Sequence, residues 1–328
     1  MDIFLSLLQS SLVYGTILLY GAMGEILTEK SGNLNLGVPG IMSLGAVGSF
    51  IMARLYEVII CGQTGATPSP WLCILFTLAG AILFAGLGGF VYSLLTITMR
   101  ANQNVTGLTL TIFGCGFANY FGSAILQKHG GVGSLSLSVT SRAFRAVIPG
   151  LESVKVLASL GWLVYVSIIM AIAMQWFLSR TRVGLNLHAV GENPATADAA
   201  GINVTKYKYL ATCIGSAISG LGGLYYFVDY VKAAWTTDGT LEALGWLAVA
   251  LVIFATWKPA RAIWASYLFG ALSWAYFYVG GLNRSSQEIF KMLPYVVTIL
   301  VLVFVSLRRS KESQPPAHLG LPYFREDR

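Results

Sequence analysis

Long stretches without Asp, Glu, Lys or Arg alternate with short charged segments along the chain. They are Ile3 to Gly24, Ser31 to Ala53, Val58 to Met99, Ala101 to Gln127, Val156 to Ser179, Tyr209 to Val228, Ala243 to Trp257, Ala262 to Asn283 and Met292 to Leu307. About 20 apolar residues cross the hydrocarbon of a bilayer. One helix per run therefore predicts an all-α, polytopic membrane bundle of about nine crossings, with about eight to ten compatible. The run from Val58 contains the polar stretch CGQTGATPSP, so only Trp71 to Met99 should be helical there, as a long tilted helix. The run from Ala243 is short, and Ala101 to Gln127 is rich in glycine and threonine, so either is a candidate for a broken or re-entrant element.

One polar island interrupts this pattern. Ser179 to Lys208, SRTRVGLNLHAVGENPATADAAGINVTKYK, lies between two apolar runs. Asn193-Pro194 is a helix-start signal, Ala195 to Ala200 is a short run of helix formers, and Gly201 can end it. This predicts a two-turn helix lying on the membrane surface. Two readings remain open on spacing alone: a grip for something in the aqueous phase, or a charged loop that orients its neighbours.

A second unusual segment is GEILTEKSGNLNLGVPGIMSLGA, Gly24 to Ala46, where Asn33, Asn35, Pro39 and several glycines fall near the start of a membrane helix. Breaks in the backbone ladder at such depth are tolerated only against protein or a water-filled cavity. The segment therefore lines a pathway or forms a helix-entry turn. Elsewhere, Gly40, Gly45 and Gly48, then Gly80, Gly86, Gly88 and Gly89, then Gly220, Gly222 and Gly223 recur at spacings that let helix backbones approach closely.

Composition agrees: of 328 residues, 55% are hydrophobic and 11% charged, against about a quarter charged in soluble domains. No soluble linker divides residues 1–310, which read as one transmembrane domain. Residues 311–328 read as a cytoplasmic tail, irregular or disordered given its prolines and mixed charge. The first run is too long, and lacks the basic flank, for a cleavable signal. Arg308, Arg309 and Lys311 place the C-terminus inside. Counting back through nine crossings puts Lys258, the polar island, Arg100 and the Glu25 to Lys30 turn inside as well. Lys128 to Lys155 then falls outside, long enough for surface structure of its own.

The chemistry that is missing narrows the function. No Gly-Lys dipeptide occurs, so a Walker A phosphate loop is impossible on this chain. GxSxG and HExxH are absent too, leaving no constellation for an intramembrane hydrolase. Cys61, Cys73, Cys115 and Cys213 lack CxxC spacing, and His129, His188 and His318 lack ligand spacing, so no metal site is expected. The sequons at Asn104 and Asn203 fall where a glycan would be out of place. A self-contained secondary transporter should carry ionisable residues within its spans, whereas Glu25, Asp229, Asp238 and Glu242 fall at predicted ends.

The polar island resembles the coupling segment of permeases in the ATP-binding-cassette importer branch that carries branched-chain amino acids, simple sugars and nucleosides. Gly184, Ala189-Val190-Gly191, Asn193-Pro194 and Ala199-Ala200-Gly201-Ile202 carry the likeness. GEILTEKSGNLNLGV, ANQNVTGL (Ala101 to Leu108), IFATWKPARAIWASYLFGA, MLPYVVTILVL and PPAHLGLPY are similar to the subgroup that carries nucleosides with basic-membrane-protein-type binding proteins. The resemblance implies a non-enzymatic, multi-pass permease subunit of a bacterial cytoplasmic (inner) membrane. Its partners would be a cytoplasmic ATPase that binds ATP and Mg, an external substrate-binding lipoprotein and a second, related permease. It makes Gly184, Ala189, Val190, Gly191, Glu192, Asn193, Pro194, Ala199 and Gly201 the candidate ATPase-coupling residues. Asn33, Asn35, Gly37, Pro39, Asn102, Gln103 and Thr106 become candidates for lining or supporting the substrate path. The subgroup commonly has glutamate where this chain has Pro39, so a nucleoside relative such as riboflavin, or a ribose-like sugar, stands beside a nucleoside as the expected substrate.

Overall fold

A computed structural model describes residues 2–128, 137–145, 160–236, 238–278, 283–308 and 314–324. Among the described residues there are helices and no strands. In chain order they are α1 (Asp2–Glu29), α2 (Val38–Arg54), α3 (Cys61–Thr64), α4 (Pro70–Ser93), α5 (Gln103–Gln127), α6 (Ser138–Phe144) and α7 (Trp162–Arg180). Then come α8 (Arg182–Glu192), α9 (Pro194–Ala199), α10 (Val204–Tyr225), α11 (Thr240–Phe254), α12 (Pro259–Tyr278), α13 (Arg284–Lys291) and α14 (Leu293–Arg308). Wider π-helical turns extend α2 through Leu55–Ile60 into α3, α4 through Leu94–Thr98 and α10 through Tyr226–Tyr230.

Among the described residues six helices are long and apolar enough to cross a membrane, short of the nine expected: Phe4–Glu29, Val38–Thr64, Pro70–Thr98, Gln103–Gln127, Trp162–Arg180 and Val204–Tyr230. Thr240–Phe254 is apolar but shorter. The chain is thus a polytopic helical bundle. Two expectations change. Ala101 to Gln127 is not broken, because α5 runs without interruption and its threonines bond back into it: Thr106 Oγ1 donates to the Asn102 carbonyl and Thr109 Oγ1 to that of Val105, both at 2.8 Å. The polar stretch after Val58 also starts later than expected, since α3 carries the helix to Thr64 before the loop at 65–69.

The core is built from α1, α2 and α10, with α4, α5, α11 and α12 packed around them. Their small residues set the spacing. A side-chain carbon on Gly45 would strike the Gly220 backbone, one on Gly48 that of Gly80, and one on Gly40 that of Leu110 and Thr111. Such contacts hold helices together where lipid removes the hydrophobic drive. Gly86 on α4 and Gly116 on α5 differ, with open space beside them. The outer faces are apolar: Leu75, Leu83 and Leu87 on α4, Ile112 and Phe113 on α5, Ile169 and Ile172 on α7. Cys61, Cys73 and Cys115 are buried free thiols, and Cys213 is a half-buried one.

The only described part of the segment from Lys128 to Lys155 beyond its first residue is 137–145, which contains α6. The Glu57 carboxylate caps that helix, accepting from the amides of Val139 (3.1 Å) and Thr140 (3.0 Å) and from the Thr140 hydroxyl (2.6 Å). Glu57→Ala should therefore lower stability by about 1–3 kcal/mol, since it strands these donors. The checks are the thermal midpoint of the purified protein and faster proteolysis within 137–145.

Candidate functional site

The connection between α1 and α2, residues 31–37, is irregular backbone held inside the bundle. Its polar groups are answered by four helices, α1, α4, α5 and α10. The Leu34 amide donates to Gln103 Oε1 (2.7 Å), and the Leu34 carbonyl accepts the Tyr92 hydroxyl. The Asn35 amide donates to Glu25 Oε1 (3.1 Å), and Thr111 Oγ1 donates to the Leu36 carbonyl (2.8 Å). Asn33 Nδ2 donates to Thr212 Oγ1 (3.1 Å), while Asn35 Oδ1 accepts the Gly37 amide (2.9 Å). Gly107 lacks a side chain where Leu36 and Gly37 pass over it. A buried loop survives only when its backbone polar groups find partners of this kind.

The polar island folds as two helices meeting at a corner. Thr181 caps α8 by accepting the Gly184 amide at 3.0 Å, and Gly184 lets α8 turn back against the Phe177 carbonyl and Leu178 of α7. Gly184, Leu187, Val190 and Gly191 form the buried stripe of α8, while Ala189 and Glu192 are exposed. Asn193 caps α9 by accepting the Thr196 amide (3.0 Å), Pro194 occupies the first turn, and Gly201 follows the helix at φ +84°. The expected short helix is therefore present, ending at Ala199. The eleven-residue α8 before it was not anticipated. Val190, Ala197 and Val204 make a small core of their own with Ile202, Tyr207 and Tyr323.

Gly191 joins the corner to the buried loop. Its backbone lies against Lys30 and Gly32, leaving no room for a β-carbon. The tail closes the junction. The His318 amide donates to the Gly191 carbonyl (3.1 Å) and the Gly320 amide to that of Gly32 (3.2 Å). The Ala317 amide donates to Glu192 Oε2 (3.2 Å), and the Tyr323 hydroxyl donates to Asp198 Oδ2 (2.9 Å). Gln103 Nε2 reaches the Leu321 carbonyl (3.4 Å), and the Arg100 guanidinium stacks over Phe324. Residues 314–324 thus have irregular backbone, as their composition suggested, but they are strapped down across loop and corner alike.

The candidate path residues divide. Asn33 and Gln103 share the wall of one 720 Å³ cavity with Asp198 and Gly201. Asn35 and Gly37 are used in the loop's own turn, and Pro39 packs against Gly245 at the start of α2. Asn102 is the exposed cap of α5, accepting the Val105 amide (3.1 Å), and Thr106 bonds to the backbone of that cap. Glu25 and Glu29 escaped notice as helix-end carboxylates. Both are buried in the last turns of α1, Glu25 on the Asn35 amide and Glu29 accepting the Trp257 indole N–H. The Glu29 partner lies 228 residues away, and the Glu25 partner is a backbone amide across the turn, so neither pairing shows as a side-chain pattern. Among the described residues no three His, Cys, Asp or Glu side chains converge as metal ligands.

The electrostatics of the corner are mild. Burial lowers the Lys30 ammonium from its ordinary range, and Glu192 opposes the shift. His188 and Glu192 approach at 3.5 Å one turn apart. Burial first, and Lys208 second, hold the His318 imidazole below the usual histidine range, and its Nδ1 is buried with no partner among the described residues. The free tail therefore binds a proton that the docked tail resists, so docking weakens as pH falls through the ordinary histidine value of about 6.5. A thiol introduced at buried Pro316 should react faster at about pH 5.5 than at about pH 7.5, relative to the same thiol in His318→Asn. Equal ratios in the two backgrounds would rule this out.

A profile of the family described as "Branched-chain amino acid transport system / permease component" matches residues 7–302. The chain belongs to this family. It is a multi-pass permease component, not an enzyme. The putative glucose ABC transporter permease protein TsgC13 of Haloferax volcanii is 30% identical over 342 aligned positions, covering 98% of each chain. The guanosine ABC transporter permease protein NupQ of Bacillus subtilis is 30% identical over 332, covering 98% of this chain and 97% of that one. A more distant Bacillus subtilis relative, the guanosine ABC transporter permease protein NupP, is 23% identical over 283, covering 82% and 78%.

Proposed function

We propose that this chain is one of two non-identical permeases of an ATP-driven importer that moves a nucleoside or nucleoside-like molecule across a bacterial inner membrane. The observation that carries it is the α8–α9 corner, a capped two-helix element locked by Gly191 onto the buried loop that opens α2. Pressure on the corner from an ATPase would pass to that loop through backbone, with no flexible side chain between. In this reading all nine apolar runs cross, the N-terminus lies outside, and the corner and tail lie inside. Two cytoplasmic ATPases holding ATP and Mg close on the corners, and an external lipoprotein delivers substrate.

The nucleoside reading is supported by the likeness to NupQ, and the pairing of unlike permeases by the separate likeness to NupP under the same transporter name. A simple sugar is the second reading, favoured by the equal identity to TsgC13. Riboflavin remains a third ligand to test because of Pro39. Buried Glu25 and Glu29 do not favour a secondary transporter, since each is engaged by the fold.

The test is uptake by cells carrying this chain with and without the neighbouring ATPase, joined to a ligand screen on the binding protein encoded beside it. Guanosine and other nucleosides, riboflavin, glucose and ribose are the panel. ATPase-dependent uptake of a nucleoside is expected. Uptake without the ATPase would overturn the importer reading, and binding of glucose alone would replace the substrate.

A further inference from the structure

The cavity shared by Asn33 and Gln103 holds a second feature that transport does not require. Its wall runs from the end of α4 (Thr96, Ile97) over Arg100 to the first turn of α10 and the tail at Tyr323. Lys208 lines it from α10. That side chain is 3% exposed, and no hydrogen-bond or ion-pair partner is found for it among the described residues. A buried ammonium is costly unless something answers its charge.

Three further observations point the same way. Lys206 and Arg100 stand on the same wall as Lys208, together with Asp198, whose Oδ2 accepts the Tyr323 hydroxyl. Val204 and Thr205 begin the 22-residue α10, and Asn203 caps only the Lys206 amide (2.9 Å), so the positive end of that helix also opens here. Arg100, which lines the rim, holds φ at +58°, a conformation that costs a non-glycine residue roughly 1 kcal/mol or more.

We propose that this cavity is a phosphate-binding site, with Lys208 as its buried cation and the first turn of α10, Lys206 and Arg100 completing it. On the orientation proposed above, which puts the start of the membrane-length α10 at the cytoplasmic face, the phosphate belongs to a free cytoplasmic phosphate compound or to the headgroup of an anionic phospholipid. Asp198 of α9 and Gly201 just beyond it line the same cavity, which puts the site beside the coupling element.

The experiment uses the assembled transporter with Thr205→Cys as a local reporter on the cavity wall. In one arm, lipid-stripped protein in detergent is titrated with inorganic phosphate against chloride at equal ionic strength, and maleimide labelling of the reporter is followed. In the other, nanodiscs of phosphatidylglycerol are compared with nanodiscs of phosphatidylcholine. Slower labelling in the first arm identifies free phosphate, and slower labelling in the second alone identifies the headgroup. Either protection should weaken by about tenfold in Lys208→Met, the loss of one charge-assisted contact, and survive in Lys208→Arg. Lys206→Gln serves as the second variant should Lys208→Met fail to assemble. No protection in either arm, or protection unchanged by these substitutions, would overturn the site, as expected of a lysine that only extends its amine toward water.

Discussion

Gly191→Leu should cut uptake by about tenfold or more while the chain still inserts into the membrane. A side chain at 191 meets Lys30 O first, then Lys30 C at 3.1 Å and Gly32 N at 3.3 Å, all backbone atoms of the turn that opens the buried loop. Backbone cannot swing aside as a side chain can, so the corner must lift off the loop or the loop must move. Overpacking of this kind costs about 1–3 kcal/mol. Lifting the corner also breaks the bond from the His318 amide to the Gly191 carbonyl. The effect should fall on coupling. Substrate-stimulated ATP hydrolysis in proteoliposomes should be lost along with uptake, while Gly86→Leu, where nothing lies within 4 Å of the added carbon, serves as the harmless control. Normal stimulated hydrolysis in Gly191→Leu would show that corner and loop communicate by another route.

The bundle was legible because lipid imposes a simple rule. Charge-free runs of sufficient length become helices, and every run from Ile3 to Leu307 is largely helical among the described residues, although six of the helices reach the length and hydropathy of a crossing. The short α9 was equally legible, since Asn193, Pro194 and Gly201 act through local backbone chemistry. Helix α8 was hidden because two of the four buried positions on its stripe are glycines, Gly184 and Gly191, which add no hydrophobic signal. Continuity of α5 was misread because threonine suggests a break, whereas Thr106 and Thr109 return their hydroxyls to the preceding turn. The amides near the α2 start were recognised as needing partners. Those partners are protein groups distant in sequence: Thr212 of α10 for Asn33, and the Leu34 amide of the buried loop for Gln103 on α5. Nothing in the order of residues along the chain announces such pairings.

Deletion of residues 311–328 should reduce uptake about as strongly as Gly191→Leu, with insertion retained. The deleted segment carries the bonds from His318 to Gly191, Gly320 to Gly32, Ala317 to Glu192 and Tyr323 to Asp198, and the Leu321 carbonyl that receives Gln103 Nε2. Each neutral bond is worth about 0.5–1.5 kcal/mol net, and they act on both sides of one junction, so their loss frees the corner from the loop together rather than one by one. The bundle core of α1, α2 and α10 does not include the tail, which is why thermal stability should change much less than coupling. Two narrower variants separate the contributions. Tyr323→Phe removes one bond, leaves its ring in the small core with Val190, Ala197 and Val204, and should cost little. Gly320→Val opposes the positive φ of +80° at the turn and should behave like partial deletion. If the deleted protein transports and hydrolyses ATP like the full chain, the strap is a surface contact without a part in coupling, and the corner and loop are held by Gly191 alone.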